Sequence, residues 1–301
     1  MPIIPSIESI AECLAQAANS GSEEAQERAL QSLSSLTKVS TENRNLLAHT
    51  HGAIPTILSL SSSSSSSSVH LQILSLSILL NLSLNPNLKR TLATTTNIQY
   101  LNSIILSPAS LHSSKLAASL VCSLAMLDKN KAVFGVAGTV QVIVKALSNA
   151  ASSAAHHLLS SLFELSQFHG NCTLAVWAGA VPVLLGILED PDEEEDLSGS
   201  CLSVLSLLSR YEQGMQEIQA ADGVVELLVD ALKRRCMVSR ENAAEILVRL
   251  FEEDEKCMRD AVGKHDFSSL TADLSIRGSA KAREKAAVLT TMIMDFNLDY
   301  Y

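Results

Sequence analysis

Apolar residues recur along this chain at helical spacing, and one apolar segment returns at a nearly constant interval. Four copies share a glycine ahead of an aliphatic run: Gly52 in HGAIPTILSL, Gly138 in AGTVQVIVKAL, Gly179 in AGAVPVLLGIL and Gly223 in DGVVELLVDAL. Two weaker copies, TNIQYLNSIIL at Thr96 and HDFSSLTADL at Asp266, keep the phase without the glycine. Successive intervals are 44, 42, 41, 44 and 43 residues. Such regularity is typical of a repeat protein.

A longer apolar helix follows these segments, as in LSILLNLSL through Asn81 and LSSLFELSQF through Glu164. The pattern predicts a unit of short first helix, glycine turn, second helix, loop and long third helix. Glycine suits the turn because it reaches positive φ without a steric penalty where the first helix ends. Pro55 and Pro182 fall in the first turn of the second helix, where a missing N–H costs nothing.

One such unit cannot bury its apolar face alone, so the units must stack along a shared core. We therefore predict an all-α, right-handed helical solenoid of about six to seven repeats, forming a single domain over residues 1–301. Residues 1–40 are expected to be N-terminal capping helices, and residues 279–296 a C-terminal capping helix. Four charged residues of that last helix are expected to coat its uncovered face: Lys281, Arg283, Glu284 and Lys285.

Two polar tracts interrupt the apolar pattern. The serine run at 61–68 lies between the second and third helices of one unit, and the acidic octet EDPDEEED at 189–196 has the same place three units later. Both are predicted to be enlarged loops within repeats, and Ser68 is a candidate N-cap for the following helix. The acidic tract is interpreted as a solvated loop, with a docking site for a basic partner as the alternative.

The period and helix plan resemble the armadillo repeat, whose pattern is Asn-Leu-Ser, then Asn-Lys or Asn-Arg, then Ala-Gly-Ala-Ile/Val-Pro. The matching residues are Asn81–Ser83, Glu164–Ser166, Asn130–Lys131 and the AGAVPVLLGIL block from Ala178. SRENAAEILVRL and, 43 residues later, AREKAAVLTTMI resemble the last repeats of plant U-box/armadillo proteins. The resemblance covers nearly the whole chain and implies an armadillo-type solenoid.

Relatives of this kind act as ubiquitin ligases through a U-box, a separate module that precedes the array and recruits the ubiquitin-charged enzyme. Residues 1–50 are helical in pattern and already in repeat phase, and nothing in them resembles a U-box. The resemblance therefore implies the substrate-recognition part alone. We expect no enzymatic activity from this chain by itself.

Known catalytic motifs are absent from the sequence. It has no GxxxxGK[ST], no GxGxxG after a strand, no GxSxG and no HExxH. His49 and His51 are expected on opposite sides of a helix end, and His156 and His157 point about 100° apart on a helix, so neither pair converges on one ion. We expect no catalytic residue, no cofactor, no metal and no small-molecule substrate.

Charge is unevenly divided: residues 1–150 carry a net charge of +2 and the remainder −12, which gives −10 in total. Nucleic-acid-binding proteins usually show a basic stripe, because phosphate neutralisation drives their affinity. The sequence shows no such stripe, so DNA and RNA are not expected as ligands.

The six cysteines are scattered without a CxxC pair, which fits a reducing, intracellular setting. Glu8 and Glu12 lie where a signal peptide has its apolar core, and no uncharged apolar stretch is long enough to span a membrane. We expect an intracellular protein, cytoplasmic or nuclear or both, with no membrane span.

The resemblance also implies a partner site, because the third helices of armadillo arrays line a concave groove that holds peptides or protein surfaces. Alignment on Asn81 gives the ladder Ser35, Asn81, Ser123, Glu164, Leu208 and Arg249. One turn earlier, on the same face, lie Gln31, Ser77, Ser119, Ser160, Val204 and Glu245. The predicted partner-binding residues are Ser77, Asn81, Ser119, Ser123, Ser160, Glu164, Glu245 and Arg249.

Serine and asparagine on this face can hydrogen-bond the backbone of a peptide, and the charged residues near the C-terminal half, with Glu252 and Glu253, add selectivity. The alternative for each single position is an ordinary solvated helix residue. The ladder as a whole favours a binding groove more than any one of its members does.

The predicted function is a non-catalytic scaffold or adaptor that binds a partner protein or an extended peptide. An alternative is the substrate-recognition component of a ubiquitin-ligase pathway, with catalysis supplied by a partner. A nuclear-import adaptor is less favoured, because those adaptors use repeated Trp and Asn pairs on their third helices. Here the single tryptophan, Trp177, precedes a glycine turn, and only Asn81 matches.

Overall fold

The structure is a computed structural model that describes residues 7–61, 69–149, 152–189 and 195–299. These residues form twenty α-helices and no strand. In chain order the helices are α1 (Ile7–Asn19), α2 (Glu23–Val39), α3 (Thr41–His49), α4 (Ala53–Ser61), α5 (Val69–Ser83), α6 (Pro86–Leu92), α7 (Thr95–Leu106), α8 (Leu111–Ala125), α9 (Asp128–Val136), α10 (Thr139–Leu147), α11 (Ser152–Leu165), α12 (His169–Trp177), α13 (Ala180–Glu189), α14 (Glu195–Leu208), α15 (Glu212–Ala220), α16 (Val224–Lys233), α17 (Met237–Glu253), α18 (Glu255–Val262), α19 (Phe267–Arg277) and α20 (Ala280–Asp299).

Two compact units divide the chain between Ala146 and Leu147, at the end of α10. Unit 1 holds the pair α1–α2, the triplets α3–α5 and α6–α8, and the pair α9–α10. Unit 2 holds α11 and the triplets α12–α14, α15–α17 and α18–α20. Each triplet follows the predicted order of first, second and third helix, so the all-α repeat plan is confirmed. The single-domain assignment stays a prediction.

Four glycines make the corner between a first and a second helix. The φ angles of Gly52, Gly138, Gly179 and Gly223 are 74°, 77°, 80° and 73°, which confirms the predicted positive φ. At Gly179 the chain bends by 72° between α12 and α13. In the α6–α7 repeat, one of the two that lack this glycine, Ala93 turns the chain with a φ of −88° and a ψ of 47°, so that corner uses a conformation open to an ordinary residue.

The third helices run through the interior of each unit. In unit 1, α2 packs on α5 and α5 packs on α8, while in unit 2, α11, α14, α17 and α20 pack in that order. A leucine near the C-terminal end of five third helices is at most 1% exposed: Leu82, Leu124, Leu165, Leu208 and Leu250. Full burial of such a side chain stabilises a fold by roughly 1.5–3 kcal/mol, so stacking supplies a core that no triplet builds alone.

Asparagine side chains close the corner where a third helix ends and the next first helix begins. Each donates its amide to a carbonyl in the last turn of the third helix: Asn43 to Leu36 (3.0 Å), Asn130 to Leu124 (2.9 Å) and Asn171 to Leu165 (2.9 Å). Carbonyls in the last turn have no partner within their own helix. Because the three asparagines are only 5%, 3% and 1% exposed, the side-chain amide takes the place of water there.

Three corners have no asparagine at this position, which is Leu88 on α6, Gly214 on α15 and Cys257 on α18. A Cβ added at Gly214 would lie 2.3 Å from the carbonyl oxygen of Leu208. The backbones of α15 and α14 therefore approach each other more closely than a residue with a side chain at position 214 would permit. In the last repeat Cys257 occupies the position, and its thiol contacts Asp254 Oδ2 at 3.6 Å. An asparagine donor therefore closes three of these six corners, and direct backbone contact closes the one at Gly214.

The last helix, predicted over residues 279–296, is α20 (Ala280–Asp299), and one of the four charged residues predicted to coat it is placed differently. Lys281, Arg283 and Glu284 are exposed, but Lys285 is 21% exposed and its Nζ lies 3.0 Å from Glu245 Oε2 on α17. The prediction that Lys285 coats an uncovered face is wrong, because α20 packs on α17 and the long side chain at the edge of that contact reaches a buried carboxylate.

Two predicted loops fall mostly outside the described residues. Residues 62–68 of the serine run, with the proposed cap Ser68, are not described, and neither are residues 190–194 of the acidic octet. The flanking helices α4 and α5, and likewise α13 and α14, are the second and third helices of their repeats. The described ends of both tracts are helical, since Ser61 ends α4, Glu189 ends α13 and α14 begins at Glu195, so the predicted loop bounds 61–68 and 189–196 are wrong at these residues.

Gly179→Ala is expected to lower the free energy of unfolding by about 1–2 kcal/mol, because the alanine Cβ clashes with the backbone at the positive φ of this turn. An added Cβ has open space there, with Pro182 Cγ the nearest atom at 4.0 Å, so the loss isolates backbone strain. The control Gly186→Ala, on the exposed side of α13, should instead raise stability by up to about 1 kcal/mol. Urea unfolding of both variants checks the opposite signs, and equal effects would contradict the turn assignment.

Asn130→Asp is expected to cost at least about 2 kcal/mol of stability, because it replaces a donor with an acceptor that faces two carbonyls. The native amide lies 2.9 Å from the Leu124 oxygen and 3.2 Å from the Lys89 oxygen. The exposed Asn149→Asp is the matched control. If thermal denaturation gives the two variants the same midpoint, the side-chain amide does not hold this corner.

Candidate partner-binding surface

The structure corrects the two predicted ladder positions on α14. Leu208 and Val204 are both 0% exposed and belong to the core. Leu207 and Ser203 are the equivalent positions, because Leu207 directly precedes the buried leucine as Asn81 precedes Leu82 in α5. Leu207 is itself buried at 8% exposure, and Ser203 is half-buried. The alignment on Asn81 was therefore one residue out of register on α14, where Leu207 and Leu208 are adjacent leucines.

On α5, the predicted residues Ser77 and Asn81 are half-buried and one turn apart. The Ser77 hydroxyl donates to the Ile73 carbonyl at 2.8 Å. The Asn81 amide donates to the Ser34 carbonyl at 3.2 Å and to Thr37 Oγ1 at 3.1 Å. The donor that was predicted to bind a partner therefore joins α5 to α2 within unit 1.

On α8, the predicted residues Ser119 and Ser123 are also half-buried and one turn apart. Ser83 donates its hydroxyl to Ser123 Oγ at 2.8 Å, which links α5 to α8. Lys89 of α6 is 8% exposed, and its Nζ donates to the Ser123 carbonyl near the C-terminal end of α8. A cation at this end of a helix is favourable because the last carbonyls carry partial negative charge.

In unit 2, the predicted residues Ser160 and Glu164 lie one turn apart on α11. Ser160 is exposed and donates its hydroxyl to the His156 carbonyl at 2.8 Å, and Glu164 is half-buried. On the neighbouring third helix, Ser203 accepts a hydrogen bond from Asn242 Nδ2 at 3.0 Å, which joins α14 to α17. Small polar side chains thus occur in register on the third helices of this unit as well.

A charged cluster follows on α17. Glu245 is 5% exposed; its Oε1 accepts from Arg249 Nη2 at 2.9 Å and its Oε2 lies 3.0 Å from Lys285 Nζ. Burial alone would raise the pKa of Glu245, but hydrogen bonds from Lys285 and Arg249, together with their positive charge, hold that pKa below its ordinary value. Glu245 is therefore an ionised structural residue, and Arg249, whose side chain is 33% exposed, presents charge outward.

A surface cleft of about 370 Å³ lies beside Arg249. Its lining includes Arg210 and Tyr211 at the end of α14, and Glu252 and Glu253 in the last turn of α17. Side chains of both charge signs therefore line this cleft.

Three residues of this surface were missed by sequence reasoning: Ser203, Asn242 and Lys285. Ser203 was missed because the alignment of α14 was one residue out of register. With the correct register, Ser203 precedes Leu207 by four residues, as Ser77 precedes Asn81 on α5. The contacts of Asn242 and Lys285 with the preceding third helix depend on how neighbouring repeats pack, and no local pattern signals them.

Among the described ranges, no group of three or more His, Cys, Asp and Glu side chains is placed to hold a metal ion. Burial raises the pKa of the Cys172 and Cys257 thiols to about 11. Both are therefore protonated at neutral pH and poor nucleophiles.

No single helix in the described part of the chain is long and apolar enough to cross a membrane. The first and second helices α12 and α13 meet that length and composition only when taken together, and they are bent by 72° at their junction.

Glu245→Gln is expected to destabilise the protein at pH 7, and the difference from the native chain should shrink as the pH falls from about 5 to 3. The sign follows because the folded pKa lies below the ordinary value: the ionised group stabilises the fold above pH 4 to 5, roughly, and this contribution is lost on protonation. Urea unfolding across this pH range measures it. The exposed Glu217→Gln is the control for net charge, and a difference that grows on acidification would contradict the assignment.

Comparison with known proteins places the chain in one family. Residues 9–297 match the family described as the plant U-box protein ARM repeat region. U-box domain-containing protein 1 of Medicago truncatula is 30% identical over 120 residues, which are 39% of this chain and 17% of that protein. U-box domain-containing protein 17 of Arabidopsis thaliana is 27% identical over 144 residues, 48% of this chain and 19% of that protein. The chain spans less than one fifth of the length of either relative.

Solved structures with the same fold include three designed or engineered proteins. An engineered protein has a TM-score of 0.78 at 19% identity, covering 96% of this chain and 72% of its own. A designed armadillo repeat protein has a TM-score of 0.69 at 18% identity, and a computationally designed armadillo repeat protein for modular peptide recognition has 0.70 at 17%; each covers 80% of this chain and 99% of its own. These likenesses show an armadillo fold, and with the match over residues 9–297 they establish that the chain belongs to the family of plant U-box protein ARM repeat regions.

Proposed function

We propose that this chain is a non-catalytic scaffold that binds a partner protein or an extended peptide along its third helices. The observation that carries the proposal is the register of small polar side chains on those helices. Ser77 and Ser119 in unit 1, and Ser160 and Ser203 in unit 2, sit at equivalent positions while the adjacent leucines fill the core.

Hydrogen-bonding capacity supports this function in unit 1. The hydroxyls of Ser35 and Ser77 each donate to the carbonyl four residues earlier, at 2.9 Å and 2.8 Å. A hydroxyl oxygen bonded in this way keeps lone pairs for a further donor. The amide of Asn81 points its nitrogen into unit 1 and retains its own oxygen as an acceptor. The face is therefore suited to accept N–H groups from the backbone of a bound segment.

Charge supports the same function in unit 2. Arg249 presents a guanidinium that is only partly used by Glu245, and Glu252 and Glu253 are exposed one turn further along α17. Glu164 adds a half-buried carboxylate on α11. Charges of both signs on third helices favour a partner with the complementary pattern of charge, and they contribute to specificity more than to affinity.

Family membership favours a second candidate, in which the scaffold recognises a substrate for a ubiquitin-ligase pathway whose catalysis a partner supplies. The match over residues 9–297 is to the ARM repeat region of plant U-box proteins, and the two relatives bear the U-box in their names. An intracellular location, cytoplasmic or nuclear, is part of both candidates, and six free thiols are consistent with it.

The scaffold proposal is tested by affinity capture from plant extract with the full chain and a Glu164→Ala/Arg249→Ala variant. We expect the variant to retain roughly a tenth or less of the captured protein, since truncation of interface residues of this kind costs about 1–2 kcal/mol each. Glu217→Ala/Lys256→Ala changes the same two charge types at exposed positions on first helices and should leave capture unchanged. An identical captured set from all three proteins, each shown folded by circular dichroism, would remove Glu164 and Arg249 from the site.

The ubiquitin-pathway candidate predicts that the chain alone does not support ubiquitin transfer from a charged conjugating enzyme, but does so when its captured partner is added. Gel assays of transfer, with chain and partner each omitted in turn, measure this. Transfer by the partner alone at the same rate and onto the same substrates would exclude a recognition role for the chain.

A further inference from the structure

An acid-free stretch occupies the centre of unit 1. Residues 43–127 contain no aspartate or glutamate, although the whole chain has 32 acids in 301 residues. The same stretch carries four cations: Arg44, Lys89, Arg90 and Lys115. It includes all of α4 to α8, so two neighbouring third helices, α5 and α8, offer no negative side chain to a partner.

Exposed aliphatic residues mark the same part of the unit. Val39, Leu84 and Met126 are 87%, 58% and 63% exposed. Each directly precedes the N-cap of a first helix, at the C-terminal end of α2, α5 or α8. We refer to these three residues as the unit 1 ridge. Single exposed aliphatic residues are common on proteins, but these three share one equivalent position in successive repeats.

Unit 2 lacks such a ridge. The residues that directly precede the N-caps of α12, α15 and α18 are Gln167, Arg210 and Glu253. All three are polar or charged, so the apolar character is specific to unit 1 and does not follow from the armadillo corner itself.

The spacing of the ridge selects the shape of a binding partner. Packed helices lie about 8–10 Å apart, so neighbouring ridge residues recur at a similar distance. An extended strand presents residues on one side every second position, at about 6.7 Å or 13 Å. A helix presents residues i and i+7 on one side about 10.5 Å apart. An amphipathic helix matches the ridge better than a strand.

The charges beside the ridge indicate which charge the bound segment should carry. Lys38 precedes Val39, and Lys129 follows Met126 by three residues; both are exposed. The acids at this end of the unit are Glu42 and Asp128, and Asp128 is already paired with Lys131 at 2.7 Å. The balance is positive, which favours acidic residues on the bound segment.

We propose that the unit 1 ridge docks an amphipathic helix of a partner protein that carries acidic residues beside its apolar stripe. The inference rests on the proposed function, because it names the chemistry of one partner of the scaffold. It adds a second contact to the third-helix face, at the C-terminal ends of α2, α5 and α8.

The test uses the full chain and labelled synthetic peptides of three heptads with leucine at the a and d positions. One peptide carries glutamate on the flanking positions, a second carries lysine there, and a third keeps the glutamates but has serine for leucine. Fluorescence anisotropy should show the acidic leucine peptide binding at least roughly tenfold more tightly than either of the others, as both charge and apolar contact are required.

The matched variants are Leu84→Ser/Met126→Ser on the ridge and Ile276→Ser/Leu298→Ser in unit 2, where both aliphatic residues are 75% exposed. The ridge variant should weaken binding of the acidic leucine peptide by roughly tenfold or more, and the unit 2 variant should leave it unchanged. Circular dichroism confirms that both variants fold, which all four exposed positions permit.

Several results would overturn the proposal: no binding of any peptide, equal binding of the acidic and basic peptides, or equal loss in the two variants. Sedimentation velocity of the native chain and the ridge variant identifies one other occupant. If the chain self-associates and only the ridge variant is monomeric, the ridge is a contact between copies and not a partner site. Failure here with Glu164- and Arg249-dependent capture intact leaves the scaffold function standing.

Discussion

The structure depends on how the chain closes the corner after a third helix, where carbonyl groups have no partner within their own helix. These groups lie where a third helix, the next first helix and a neighbouring repeat meet, so water is largely excluded and an unpaired carbonyl would cost about 1–3 kcal/mol. Asn43, Asn130 and Asn171 supply the donor, and Gly214 allows backbone to close on backbone. With this corner fixed, the third helices are held in register and their outward faces present equivalent positions repeat after repeat.

Much of this architecture could be predicted from the sequence. The interval between glycines sets the repeat, and the need for positive φ at the first corner explains why Gly52, Gly138, Gly179 and Gly223 recur. The Asn-Lys motif was recognised at Asn130 as a mark of resemblance, but its donation to Leu124 needs the next helix to be in place. Sequence periodicity locates helices well because one apolar stripe determines each of them.

The candidate site was less predictable, for two physical reasons. Alignment does not fix the register of a helix as rich in leucine as α14, and it placed Leu208 in the groove although Leu208 belongs to the core. Contacts between neighbouring third helices are also non-local. The Asn81 amide donates a hydrogen bond to α2, and Lys285 of the following repeat forms an ion pair with Glu245. A polar residue on the correct face can therefore either bond a neighbouring third helix or contact a partner. The packing of neighbouring repeats decides between these two roles.

The two units offer different chemistry on the same scaffold. Unit 1 combines accepting hydroxyls with an acid-free, cationic centre and an aliphatic ridge, whereas unit 2 carries paired and exposed charges around Glu245 and Arg249. A repeat array separates these roles easily, because each repeat contacts mainly its neighbours and surface changes in one leave the others intact.

The central claim is that partners dock on third helices and not on the corners between first and second helices. Hydroxyl-radical footprinting of the full chain, with and without its captured partner, tests it at side chains that oxidise readily. Met126 and Phe163 mark the third-helix side at 63% and 36% exposure, and Trp177, at 72%, marks the end of a first helix. The partner should reduce oxidation of Met126 or Phe163 and leave Trp177 unchanged. Protection of Trp177 alone would contradict the claim.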